Sequence, residues 1–443
     1  MSPSAAPITP PEDIQHTSEL TAAAVAKKLS NTTPAQAKLF DGASSLQLLD
    51  ASKLKFTRTT TPRETLDFSN PLVNTSSVCT DHMITAVWRA ETGWDAPELK
   101  PYGPFQLMPN ASVLHYATEC FEGMKVYRGY DGKLRLFRPD CNTRRLLVSS
   151  TRIALPSFDP KEVEKLIMAL MAVDGPKFLP KSEPGKILYL RPTVIGTQAA
   201  LGVQVPKEAM LFVIATYFPE LAKSMPFGMK LLASQNDEVR AWPGGFGFAK
   251  VGANYGPSLA ATGEARARGY DQILWLFGQD GAVTEAGASN FFVIWRSREG
   301  KLQLVTAPLG DKIILDGVTR RSVIELAKER LVDNSILEAL EVVERKYTMD
   351  EVVEAVEESR IVEAFACGTA VSHFCHSLCS INNEKQYFVI SVSEIHYRGR
   401  DLHIPTVRGN SGDYAAVIKN WLEDIMYGRE QHKWGVIIEE KEL

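Results

Sequence analysis

From Pro219 to Gly228 the sequence reads PELAKSMPFG, with two prolines and no apolar period. Such a stretch interrupts regular structure and links folded units. On both sides of it, β-patterned runs alternate with amphipathic helical ones. Upstream, GMKVYRGYDGKLRLFRP (123–139) predicts a hairpin around the turn pair Asp131-Gly132. DPKEVEKLIMALMAVDG (159–175) predicts a helix capped by Asp159 and opened by Pro160, with Val163, Leu166, Ile167, Leu170 and Met171 as its buried stripe. Strands follow at 186–196 and 209–218. Downstream, DQILWLFGQDGAVTEAGASNFFVIW (271–295) predicts a three-stranded meander. GVTRRSVIELAKERL (317–331) predicts a helix burying Val323, Ile324, Ala327 and Leu331. The expected fold class is α/β (α+β), with two domains: a smaller one over 45–219 and a larger one over 229–443, joined by 220–228. Ligand sites favour the cleft between two such domains.

Composition excludes several classes. The chain has 443 residues, 44% hydrophobic and 23% charged, with a formal net charge of −4. A slight acidic excess without a long basic run argues against nucleic acid as partner. The longest apolar run, AMLFVIATYF (209–218), falls short of the ~18 residues that cross a bilayer, so no membrane partner is expected. Six cysteines without regular spacing predict reduced thiols. Residues 1–44 lack a signal-peptide core and read as a disordered tail. Glu12, Asp13 and Glu19, with no arginine among the first forty residues, are unlike a mitochondrial presequence. The expected compartment is the cytoplasm, with the mitochondrion second.

One lysine stands out. GGFGFAKVGANYGPS (244–258) sets Lys250 as the single charge among five glycines, a proline and three aromatics. A solvated surface loop would also have a lone lysine. Glycines, however, let backbone approach a ligand closely, and a lysine in apolar surroundings gives up its proton more readily and can attack a carbonyl. If Lys250 carries an aldehyde cofactor such as pyridoxal phosphate, the phosphate needs backbone donors at a helix start. Gly317, Val318 and Thr319 in LDGVTRR open one helix, and ACGTA (366–370) is a second candidate turn. The cofactor's ring nitrogen needs an acidic partner, and Glu285 in TEAGASN is placed for it.

These runs, with LHYATECFEGMKVYRG, LFRPDCNTRRLL, ILYLRP, RAWPGGFGFAKVGANYGP, TEAGASNFF, LDGVTRRSV and GTA in order, resemble the branched-chain amino-acid aminotransferases. These are class IV (fold type IV) pyridoxal-phosphate enzymes. The resemblance implies a two-domain architecture with the active site in the interdomain cleft, and pyridoxal 5′-phosphate as cofactor. It implies that Lys250 is the Schiff-base lysine and proton shuttle, that Tyr255 bonds the cofactor's phenolic oxygen and that Glu285 pairs with its ring nitrogen. Arg145, chosen over Arg144, would hold the phosphate with Val318, Thr319 and Thr369. Tyr116, Phe121, Tyr189 and Tyr217 would wall the side-chain pocket. Arg191 and Thr369-Ala370 would receive substrate carboxylates, and Arg240 would line the approach. The implied substrates are leucine, isoleucine and valine, their 2-oxo acids, and glutamate with 2-oxoglutarate, handled by a homodimer.

Within the superfamily the alternatives are a D-amino-acid aminotransferase, an aminodeoxychorismate lyase, or a paralogue serving secondary metabolism. A cofactor-free binding module would be marked by loss of Lys250 or Glu285, and both are present. The chain departs from the family at Cys79, where many members have phenylalanine, and at Ala288, where some have a hydroxyl. VSHF (371–374) stands where mammalian members carry a Cys-x-x-Cys pair. The run 372–388 is an atypical insertion. Its His373, Cys375, His376 and Cys379 are dense, but they do not form the two separated ligand pairs usual for zinc, so no metal is expected.

Overall fold

The hairpin expected at 123–139 forms from Met124–Arg128 and Leu134–Phe137. It belongs to the first of two sheets in the computed structural model, which describes residues 46–218, 228–332, 337–369, 388–406 and 411–441. The tail expected over 1–44, the linker 220–228 (all but Gly228) and the insertion 372–388 (all but Phe388) lie outside the described residues. From Gln47 onward the chain forms one compact unit.

The first sheet has ten strands. At its centre Met124–Arg128, Ile187–Gly196, Glu208–Thr216 and His82–Arg89 lie side by side, each antiparallel to the next. The helix Pro160–Phe178 covers this sheet. Asp159 caps it through the Lys161 N–H, and the five apolar residues of its expected stripe are fully buried. The helix runs past its expected end, and Pro176, which cannot donate, falls in its last turn. The Ala172 carbonyl that Pro176 would have served accepts instead from the Lys441 N–H at 3.0 Å.

The second sheet has nine strands, and six of them close a ring. Closure comes from the expected meander: Ala282–Ala286 pairs on one side with Gln272–Phe277 and on the other with Ser289–Arg296. Alternate residues from all six ring strands, among them Leu231, Leu274, Val283, Phe291, Ala366 and Val392, meet in one apolar cluster. The opposite faces of Ser289–Arg296 and Ile361–Cys367 bury Phe292, Ile294 and Phe365. Against these packs the helix Val318–Arg330, which buries Val323, Ile324, Leu326 and Ala327.

One strand departs from the expected division of the chain. Gly435–Ile438, at the end of the half expected to be the larger domain, pairs with Leu134–Phe137 of the first sheet. Trp434 packs edge-on against Phe137, and Glu440 forms an ion pair at 2.6 Å with the fully buried Arg128. A short run such as GVII has no period that names its partner. Among the described residues no helix is long and apolar enough to cross a membrane, no cluster of side chains suits a metal, and Cys79, Cys120, Cys141 and Cys367 are free thiols.

Candidate active site

The glycine-rich segment is fixed before its lysine side chain begins. The Lys250 N–H donates to Ser149 Oγ at 2.8 Å, its carbonyl accepts from the Phe121 N–H at 3.0 Å, and Val251 bridges Cys120. Two of the glycines serve this packing. A Cβ on Gly247 would come within 2.6 Å of the Ile313 carbonyl oxygen, and one on Gly252 within 1.9 Å of a Glu119 carboxylate oxygen.

Thus anchored, Lys250 donates from Nζ to Tyr255 Oη at 2.8 Å. Its Nζ also lies 4.8 Å from the centre of the Phe121 ring, and Phe121 and Tyr255 lie 5.0 Å apart. The guanidinium of Arg191 stands over Phe121 at 4.7 Å and donates to Tyr189 Oη at 3.2 Å. Arg191 Nε is buried without a partner. Tyr189 needs Gly123, since a Cβ there would fall 2.0 Å from Oη.

Glu285 sits on Ala282–Ala286, buried to 2% exposure. Oε1 accepts from Asn290 Nδ2 at 3.1 Å and from the Leu315 N–H at 3.2 Å. Oε2 lies 2.7 Å from Arg240 Nη2, yet accepts no well-directed hydrogen bond. Burial raises the carboxyl above the usual range, opposed by Arg240, the Leu315 N–H and Lys250. Arg240 therefore stands against Glu285, and it also donates to the Ile313 and Gly247 carbonyls. It was expected to line the approach.

The helix Val318–Arg330 begins at Gly317 with no side-chain cap, and Val318 and Thr319 are its buried first residues. Asn290 pairs with Cys367, so the turn Gly368-Thr369 follows directly from a strand beside Glu285. Arg145 is clamped: Nε and Nη2 donate to the two oxygens of Glu122 at 2.7 and 2.8 Å, and Nη1 donates to the Asp316 carbonyl at 2.9 Å. Although burial opposes it, Glu122 raises the guanidinium pKa further still. Glu122 is itself buried and also accepts from Asn142.

Lys250, Tyr255, Phe121, Arg191 and Tyr189 thus form one connected group, with Glu285, Arg240 and Arg145 around it. Two of the four aromatic residues expected to wall the pocket are not in it. Tyr217 is fully buried between Phe68 and Phe178, and its hydroxyl accepts from the Leu66 N–H. The next residue, Phe218, stacks on Tyr189 at 4.5 Å. Successive side chains in extended chain face opposite ways, so the expectation fell one residue off. Tyr116 is half-exposed and its hydroxyl accepts from the Gly202 N–H. Ala370 lies outside the described residues. Sequence reasoning missed Phe218, Asn290 and Glu122, although Glu122 stands in the quoted run FEGMK.

The residues fit pyridoxal phosphate. A buried carboxylate oxygen without a donor awaits a protonated nitrogen, an uncapped helix start offers N–H groups to an anion, and a lysine is held on a phenol.

Residues 119–372 match the family model described as amino-transferase class IV. The chain is 42% identical to the cytosolic branched-chain-amino-acid aminotransferase of Saccharomyces cerevisiae, over 88% of this chain and 98% of that one. It is also 42% identical to the mitochondrial protein of that name from Schizosaccharomyces pombe, over 81% of this chain and 78% of that one. The fold is similar to the branched-chain aminotransferase structure from Thermoproteus uzoniensis, with a TM-score of 0.58 and 24% identity, over 80% of this chain and 99% of that one.

Proposed function

Since the chain belongs to the class IV aminotransferases, and among them to the branched-chain-amino-acid aminotransferases, we propose that it moves the amino group of leucine, isoleucine or valine to 2-oxoglutarate, and from glutamate to the branched-chain 2-oxo acids. The cofactor of the family is pyridoxal 5′-phosphate, which when bound supplies a carbonyl to take up the amino group and a ring to accept the electron pair left at the α-carbon.

The chain's own residues do the rest. Lys250 Nζ holds and moves the proton, and Tyr255 Oη orients it. Glu285 keeps a positive charge opposite Oε2, so a nitrogen placed there stays protonated. Arg145 and the N–H groups of Val318 and Thr319 hold the phosphate, with the Thr369 turn beside them. Arg191 receives a carboxylate, a role its unpartnered buried Nε supports. Phe121, Tyr189 and Phe218 offer an apolar aliphatic side chain a place out of water. A homodimer is the proposed assembly. Met108, Leu114, Leu201, Val203 and Val205 are large apolar residues each more than half exposed, on the segments 108–116 and 199–206 that meet through the Ala111–Ala199 bridge. Its relatives are named as cytosolic and as mitochondrial proteins, the two compartments expected for this chain, and the cytoplasm is the proposed one.

The observation that carries this reading is the Lys250–Tyr255 pair set beside a buried Glu285 with one oxygen unsatisfied. Its test is transamination of leucine with 2-oxoglutarate by the cofactor-loaded protein. Lys250→Ala should fold and lose on the order of 10⁴-fold or more in turnover. Wild-type protein inert toward all three branched-chain donors, or a fully active Lys250→Ala, would sink the proposal.

A further inference from the structure

A cavity of about 280 Å³ opens between the helix Pro139–Arg152 and the start of the helix Val318–Arg330. Its floor is apolar, with Val148, Phe248, Ile314 and Val318. Arg144, Arg145, Arg321 and Lys312 line it as well, and Asp316 is the single carboxylate of the wall. Three of the four cations are already answered: Arg144 by Asp140 at 3.2 Å, Arg145 by Glu122 at 2.7 Å, and Arg321 by Asp316. Lys312 is not. Among the described residues it forms no ion pair, and its ammonium stands 5.4 Å from the centre of the Phe248 ring on the cavity floor.

The backbone makes Lys312 more unusual. Its φ is +60°, in the left-handed region that glycine occupies freely and a long side chain does not. Strain of that kind persists where surrounding structure imposes it, and it gathers at sites that hold ligands. Here it sets an exposed cation without an ion pair beside an apolar hollow.

We propose that this cavity is a second binding site, for a short-chain carboxylate whose apolar body lies on Val148 and Phe248 and whose charge meets Lys312. The ligand class follows from the wall. The cavity falls at the lower limit of small-molecule pockets, so the body is small. One cation lacks a partner, so one negative charge is matched. Lys250, Tyr255 and Glu285 do not line the cavity. It shares Arg145 and Val318 with the wall assigned above to the cofactor's phosphate, and the two sites lie against each other.

The test is calorimetric titration of cofactor-loaded protein with 4-methylpentanoate, a carboxylate that cannot be transaminated. The proposed function, on which this count rests, places such a molecule in the catalytic cleft as well, so the wild type should bind two per chain. Lys312→Glu reverses the charge at the mouth, and Val148→Phe fills the floor without touching any charge. Each should bind one tightly and weaken the other at least about tenfold, with turnover of leucine kept within about twofold. One bound carboxylate per wild-type chain, or two at unchanged affinity in both variants, overturns the proposal. Two per chain without cofactor but one with it also overturns it, because the cavity would then be the phosphate end of the cofactor cleft.

Discussion

A buried carboxylate oxygen with no donor is costly, and Glu285 keeps one 2.7 Å from an arginine that does not point a hydrogen at it. A ring nitrogen donating to Oε2 would supply the directed hydrogen bond that Arg240 does not. Glu285→Gln should therefore lower turnover by roughly 10²–10⁴, because the charge it stabilises is largest along the reaction path. Cofactor affinity should fall far less, since Lys250 and the phosphate contacts remain. Steady-state kinetics beside a cofactor titration separate the two quantities, and unchanged turnover would remove Glu285 from the role. Lys250 drew notice in the sequence as the single charge of its run, and Tyr255 was named only through the resemblance. Phe218 was missed, because a face in extended chain is set by parity and the run ATYF offers an aromatic on each side. Glu122 was passed over for another reason: beside an aromatic, a glutamate reads as solvated until Arg145 and Asn142 are seen to close on it.

Helices, strands and local pairings with strong signals appeared where expected, the hairpin and the meander among them, and the long-range pairings had no such signal. Asp159, Pro160 and a five-residue stripe located one helix to within a few residues. The closed ring of the second sheet depends on the meander's outer strands pairing onward through Met229–Ala233, Val389–Tyr397 and Ile361–Cys367, which no single run contains. The helix Asp413–Met426 hides a further dependence. Glu363 Oε1 and Oε2 accept from the first N–H groups of that helix, at Ala415 and Tyr414. Gly412 is required there, as a Cβ would lie 1.9 Å from Oε2. Burial nevertheless pushes the Glu363 carboxyl up to about 7, against those two donors. The folded protein thus binds this proton more tightly than the unfolded chain. The resulting stability is complete below the ordinary glutamate range and is lost as pH rises toward 7, a change of order 3 kcal/mol. Glu363→Gln should remove that dependence. Urea unfolding of both proteins at about pH 5 and pH 8 checks it: wild type should lose stability relative to the variant across the interval, and parallel profiles would contradict the assignment.

At the scale of the molecule, the apolar residues on 108–116 and 199–206 are the most conspicuous surface. Val203 is 92% exposed, and leaving such a residue in water gains nothing for a monomer. Sedimentation should show the wild type at twice the chain mass, with Val203→Glu raising the dissociation constant at least about tenfold. A monomeric wild type, or an unperturbed dimer in the variant, would place the interface elsewhere or abolish it. The general α/β character was legible from alternating runs, but the return of Gly435–Ile438 to the first sheet was not, since pairing over such a separation leaves no local trace. That return has a consequence for how the protein is made. Arg128 emerges from the ribosome some three hundred residues before Glu440, which partners it, and Leu134–Phe137 waits as long for its neighbouring strand. The first sheet cannot reach its final form until Gly435–Ile438 has been made, so its edge stays unpaired while the whole second sheet is synthesised.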